Sequence, residues 1–302
     1  MMKEKFDALR KIPEQKITPP GTVWLKGNLF IDKTEISNTN WREFMYWNST
    51  HKVSKSYRCS MLPDSTVWGN TYIYANWYSN NEKVKANTHY LRHAAFSDFP
   101  VIGISYKQAL EFCKWRSDIV NQYLYYKSKK LKCPLDSVKN YPEVVKYRLP
   151  TAEEWEYAAS AGLDFNKYPA GYESIIDRDN LPVNDTREYA LIYRLKQIDN
   201  SHIDTSKKKF TKFTNVPIIY TSYKTAMMTS VNTGKPNIFG IYNMLGNVSE
   251  IITDSTYKGL NFTQSISNDS SDIYNYRKTF RYSKPEIWLG FRCVCEVNPK
   301  YL

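Results

Sequence analysis

Residues Tyr147 to Ala159, YRLPTAEEWEYAA, constrain the fold of this chain most, because several local signals coincide there. Pro150 precedes Thr151, and Glu154 follows three residues later, the pattern of a capping box. In such a box the Thr hydroxyl accepts from the Glu amide while the Glu carboxylate accepts from the Thr amide. Trp155, Ala158 and Ala159 then fall at i, i+3 and i+4, so a short helix acquires one apolar face. Glu153, Glu154 and Glu156 read as the cap plus a solvated face. The arrangement recurs twice. Ser37 precedes Asn40 and a helix with Trp41, Phe44 and Met45 on one side; Ser105 precedes Gln108 and a helix with Ala109, Phe112 and Cys113 inward. Short β-prone runs lie between, at Thr22–Leu25, Leu29–Asp32, Val101–Ile104 and Gly290–Val294. Their imperfect alternation predicts strands covered on both faces.

These elements predict an α+β fold. A chain of 302 residues can bury a sizeable core, and no Pro/Gly/Ser-rich linker divides it. The expected organisation is an extension over 1–18 and one domain over 19–298. With 25 Tyr and 8 Trp but only short aliphatic runs, aromatic side chains are expected to fill the interior. The net charge of +12 gathers partly in Lys127–Lys132 and Lys207–Lys212, read as solvated loops. No nucleic-acid-binding pattern accompanies them, so no nucleic-acid partner is expected. No apolar run approaches the length of a membrane span. The first residues, MMKEKFDALRKIPEQK, show no apolar signal region and no lipobox-like cysteine. As written the chain reads as cytoplasmic, and as a cell-envelope protein if a leader has been removed. Five cysteines, at 59, 113, 133, 293 and 295, show no CxxC spacing, which argues against a zinc site. Cys293 and Cys295, two apart, are expected on one face. His89 and His93, four apart, read as structural or surface residues rather than a metal pair.

As strings, YRLPTAEEWEYAA, FIDKTEISNTNWREF (30–44), PVIGISYKQALEFCKW (100–115), NIFGIYNMLGNVSE (237–250) and LGFRCV (289–294) resemble, in order, motifs of the formylglycine-generating enzyme (sulfatase-modifying factor) family. The resemblance spans about residues 20 to 297, with a divergent insertion about 163–230. It implies a variant of the C-type-lectin-like fold with little regular secondary structure. It further implies a structural disulfide between Cys113 and Cys293, and a calcium ion held by Asn243, Gly246, Val248 and Glu250, which are hard oxygen donors.

Active members of that family oxidise a protein cysteine at a copper ion bound by two thiolates, which lie after an RGGSw motif. Here the corresponding string is KGLNF (258–262), and no cysteine occurs from Ile251 to Leu289. Copper is therefore not expected, and no catalytic residue is assigned. A related sulfur–carbon bond-forming branch uses an iron site from an extra helical domain that has no counterpart here. The wording of PPGTV (19–23), DKTEISNTNW and LRHAAFSDFPVIG (91–103) is most similar to gliding-motility and type IX secretion lipoproteins of Bacteroidetes. The expectation is a non-catalytic binding or structural module with a protein or envelope-component partner. The alternative is a formylglycine-generating-type oxidoreductase.

Overall fold

The computed structural model describes residues 16–51, 53–69, 72–75, 82–85, 89–130, 140–165, 218–220, 228–233, 236–264, 276 and 278–302. The chain opens with a hairpin of β1 (Thr22–Lys26) and β2 (Leu29–Asp32). Two helices, α1 (Asn38–Thr50) and α2 (Lys55–Ser60), precede β3 (Tyr72–Ala75) and β4 (Glu82–Lys85). The long α3 (Tyr106–Lys129) leads to β5 (Val145–Arg148), α4 (Ala152–Ala159) and β6 (Ile218–Tyr220). The C-terminal part holds β7 (Ser249–Ile252), β8 (Thr256–Lys258), β9 (Phe280–Arg281), β10 (Leu289–Phe291) and β11 (Val294–Val297).

The strands form three small sheets, ordered β1-β2-β11-β5, β10-β7-β8-β9 and β4-β3-β6. In the first, β11 runs antiparallel between β2 and β5, so Val294 faces Ile31 on one side and Arg148 on the other. Both faces of this sheet are covered. Phe30 points into a cluster with Trp41, Phe44 and Phe112, while Leu29 and Ile31 point into a second with Trp155, Ala158 and Leu245. A strand buried on both sides has no reason to alternate polar and apolar residues, which accounts for the pattern of Leu29–Asp32. Aromatics form the centre of the first cluster, among a larger number of aliphatic residues. Trp41 stacks on Phe112 with centroids 5.5 Å apart and meets Phe44 edge-on at 5.1 Å.

All three predicted capping boxes form, at Ser37/Asn40, Ser105/Gln108 and Thr151/Glu154. Each satisfies amides that the first helical turn leaves without partners, worth about 1 kcal/mol apiece. The predicted faces are buried as expected: Trp41 and Phe44; Ala109, Phe112 and Cys113; Trp155, Ala158 and Ala159.

Two strand expectations need correction. Val101–Ile104 is not a strand. The contact there is a single bridge between Ser37 and Pro100, followed by a hydrogen bond from Val101 N to Ile36 O. Gly103 ends it, with φ of +71° and the Asp64 carbonyl so close that a Cβ would lie 2.6 Å from it. The run Gly290–Val294 divides between β10 and β11, which belong to different sheets. Asp32 sets the break: its backbone N–H donates to Cys293 O (2.9 Å) and its carboxylate accepts from Cys293 N (2.8 Å). Gly290 itself packs against Val248, where a Cβ would stand 2.9 Å from a methyl group.

Among the described residues no helix is long and apolar enough to cross a membrane. The extension up to residue 15, Leu131, Lys132, Cys133, the cluster Lys207–Lys212, and most of 163–230 lie outside the described residues. The observed α+β architecture, with three small sheets and few helices among the described residues, is the fold class that the motifs predicted.

Candidate functional site

The segment that leads into β7 turns sharply. Asn243 and Asn247 adopt φ of +56° and +57°, and Gly246 φ of +114°. Asparagine tolerates this left-handed conformation better than other side-chain-bearing residues, and both amides then reach inward. Asn243 Nδ2 donates to Glu35 Oε2 and to Val231 O, each at 3.0 Å, and Asn247 Nδ2 donates to Glu35 Oε1 at 3.0 Å. Asn247 Oδ1 accepts from Thr229 N. Glu35, fully buried between β2 and α1, thus receives one amide N–H at each carboxylate oxygen.

Arg292, in the break between β10 and β11, completes the cluster. Its Nε and a terminal nitrogen fork onto the two oxygens of Glu250 at 2.8 and 2.7 Å, and the same nitrogen lies 4.0 Å from Glu35. Its remaining donors reach Asp32 O and Tyr242 O. Trp155 Nε1, from the capped helix α4, donates to Glu250 Oε2 at 2.8 Å. Such a buried, bidentate charge pair is held rigidly, because Arg292 makes four hydrogen bonds and Glu250 accepts three.

Burial sets the proton equilibrium of Glu35, pushing it up from 4.5 to about 7. The nearby Glu250 adds to this, while Arg292 and the Asn243 amide oppose it. Burial works against the charge of Arg292, but Glu250 and then Glu35 outweigh it and hold the guanidinium protonated. For Glu35 the linkage has a definite sign. Below about pH 4.5 both folded and unfolded chains carry it neutral, and between 4.5 and 7 the folded chain alone keeps the proton. Its contribution to stability therefore falls as pH rises through that window.

Asn243, Gly246, Val248 and Glu250, the residues that the resemblance assigns to calcium, do lie together on this turn and the start of β7. As placed, their side chains do not fit a cation cage. Both Glu250 oxygens are held by protein donors, Arg292 brings a positive charge to 2.7 Å, and Asn243 presents N–H groups inward. Among the described residues no group of three or more His, Cys, Asp or Glu is disposed to hold a metal ion.

The string KGLNF closes one side of the cluster. Lys258, fully buried, pairs with Glu156 Oε1 at 2.7 Å, with its ammonium 5.8 Å from the Trp155 ring centre and 5.7 Å from that of Phe165. Glu156 is therefore part of an ion pair rather than of a solvated face. Glu154 also carries more than its cap, since it takes both terminal nitrogens of Arg148 at 2.7 Å. Ser249, where the family motif has Trp, donates to Gly259 O and accepts from Asn261 Nδ2, which ties β7 to this string.

The cysteines sit elsewhere. Cys293 and Cys295 do point to one face, into the aromatic cluster, and both are sealed from solvent. Cys113 Sγ lies 3.4 Å from Cys293 Sγ, the two being free thiols. Burial drives the Cys293 thiol well above its ordinary value, and Cys295 is pushed up to about 12 for the same reason. Neither thiol is thereby favoured as a thiolate. His93 Nδ1 accepts from Ala95 N and caps a short helical turn at Ala94–Phe96.

Sequence reasoning had singled out Glu250 and Asn243 but missed Glu35, Asn247 and Arg292. The available signal was a lone acid, Glu35, directly before the buried Ile36 and the cap Ser37.

A fold of small sheets linked by long loops, with its opening hairpin, capped helix and GFR segment joined by one buried charge cluster, defines the class. The chain belongs to the sulfatase-modifying factor enzyme 1-like domain family, whose model matches residues 3–297. Solved structures to which it is similar include three at 16% identity. They are CarF (TM-score 0.42, covering 89% of this chain and 87% of that one), PvdO from Pseudomonas aeruginosa (0.43; 95% and 89%) and Treponema denticola variable protein 1 (0.37; 92% and 92%). No curated protein matches the chain.

Proposed function

We propose that this chain is a non-catalytic, sulfatase-modifying factor-like module that serves as a binding or structural part. The observation that carries this reading is where its cysteines are. None occurs from Ile251 to Leu289, and the next two, Cys293 and Cys295, are fully buried with thiols that burial keeps protonated. A copper centre for cysteine oxidation needs two reachable thiolates, because soft sulfur ligands are what hold Cu(I). The centre of the Asn243–Glu250 turn is instead an internal ion pair, Arg292 with Glu250, which braces the fold. Incubation with copper, oxygen and a sulfatase-type peptide containing cysteine is expected to leave the cysteine unchanged by mass spectrometry. Catalytic appearance of the aldehyde would overturn the reading in favour of the oxidoreductase.

The same proposal includes a partner in an envelope machine of the gliding-motility or secretion kind. Its support is that the three segments carrying that wording pack together. Thr22 pairs with Asp32, Asn38 Nδ2 donates to Phe96 O, Thr39 N donates to Ser97 O, and Val101 N donates to Ile36 O. Fractionation of the native cells is expected to recover the protein with the envelope, and recovery in the cytosol alone would sink this part.

A further inference from the structure

A structural calcium ion in a loop such as Asn243–Glu250 supplies positive charge and holds oxygens that nothing else satisfies. In this chain side chains already do both. Arg292, fully buried, forks onto the two oxygens of Glu250 at 2.8 and 2.7 Å and gives its remaining donors to Asp32 O and Tyr242 O. Tyr276 Oη, also fully buried, donates to Met244 O at 2.9 Å, and Phe262 N donates to Asn247 O at 3.0 Å. The carbonyls of Tyr242, Met244 and Asn247 therefore all accept from protein donors.

The side chains that the family resemblance assigns to the ion are committed elsewhere. Glu250 Oε2 accepts from Trp155 Nε1 and Arg292 Nε, and Oε1 accepts from the other arm of the fork. Asn243 Nδ2 donates to Glu35 Oε2 and Val231 O, both at 3.0 Å. Turning that amide over to offer its oxygen would set oxygen against oxygen at both contacts. At most the Gly246 and Val248 carbonyls remain of the four assigned positions, against the six to eight oxygens that calcium takes. An ion at about 2.5 Å from Glu250 Oε1 would also lie within about 5 Å of the Arg292 nitrogen, which is 2.7 Å from the same oxygen. Away from water, like charges that close repel strongly.

We infer that in this chain the Arg292 guanidinium takes the place of the calcium ion. The native protein binds no calcium at the Asn243–Glu250 turn, and its fold is held there without metal. This goes beyond the non-catalytic reading and does not depend on it, since a calcium-free scaffold could carry either function. The two can therefore fail separately.

The test compares melting temperatures of the full chain in chelator and in calcium chloride, with the calcium content of the dialysed protein measured alongside. A site with a dissociation constant of about 10 μM would raise the melting temperature by about 4 °C in about 1 mM calcium. The expected shift is close to zero, with no stoichiometric calcium retained. Glu250→Gln separates two roles of the carboxylate. It weakens the fork with Arg292, so it is expected to lower the melting temperature equally in calcium and in chelator; a calcium ligand would lose more in calcium. Arg292→Met removes the charge that fills the site and is expected to gain a response, its melting temperature rising by about 2 °C or more in about 1 mM calcium. If that variant does not fold in chelator, refolding in calcium is expected to recover it. Retained calcium in the native protein, a native shift of about 4 °C, or a Glu250→Gln loss confined to calcium would each overturn the inference. So would an Arg292→Met chain that melts or refolds alike with calcium and with chelator.

Discussion

Replacing Arg292 by Met is expected to destabilise the folded chain by about 3–5 kcal/mol, the range for removing one partner of a buried ion pair. The side chain is fully buried, so no water can take over its role. Its removal leaves Glu250 with only the Trp155 donor and Glu35 with only the two Asn amides. It also leaves the carbonyls of Asp32 and Tyr242 without those donors. Both carboxylates would then have to protonate or unfold the site. Protonation at pH 8 costs far more than near pH 5, by about 1.4 kcal/mol for each pH unit above the ordinary carboxylate value. The loss should therefore be markedly larger at pH 8. A double variant, R292M with E250Q, is expected to regain part of the loss, since it removes one of the stranded charges. Urea denaturation at both pH values measures this. A change for R292M within about 0.5 kcal/mol of zero, as for an ordinary surface substitution, would show that the ion pair does not brace the fold.

What could be read in the sequence was local. The capping boxes at Ser37, Ser105 and Thr151 involve partners three residues apart, so the sequence carries the whole interaction. The inward faces of the helices followed from the same short spacing. Interactions between distant parts of the chain were not legible. Glu35 meets Asn243 and Asn247 more than 200 residues away, and nothing near Glu35 announces either amide. The division of Gly290–Val294 depends on Asp32, 261 residues earlier, which holds both backbone groups of Cys293. Glu156 looked solvated because Lys258, its partner, is remote in sequence and buried. Cys293 and Cys295 were read correctly as sharing a face, because strand period is local, whereas the approach of Cys113 Sγ to within 3.4 Å of Cys293 Sγ joins residues 180 apart.

Trp155 joins the legible part to the illegible one, and its replacement is expected to have the second large effect. In the helix α4 it is the apolar residue that the capping box presents to the core, 1% exposed and in edge contact with Tyr276 at 5.5 Å. The same ring lies against Gly259, where an added Cβ would come within 3.0 Å of it, so the two residues are fitted to each other. At its polar edge Nε1 donates to Glu250. Two variants separate these roles. Trp155→Ala removes both and is expected to cost about 3–5 kcal/mol, through the cavity it leaves. Trp155→Phe keeps most of the packing and loses the hydrogen bond to a charged acceptor, expected to cost about 1.5–3 kcal/mol. In the E250Q background the acceptor is no longer charged, so the costs of Trp155→Phe and Trp155→Ala should shrink by a similar amount, most of the Trp155→Ala cost remaining because it comes from packing. Denaturation of the six chains completes both cycles. If Trp155→Phe costs the same with Glu250 as with Gln at that position, the indole serves the core alone and the link to the buried charges is absent.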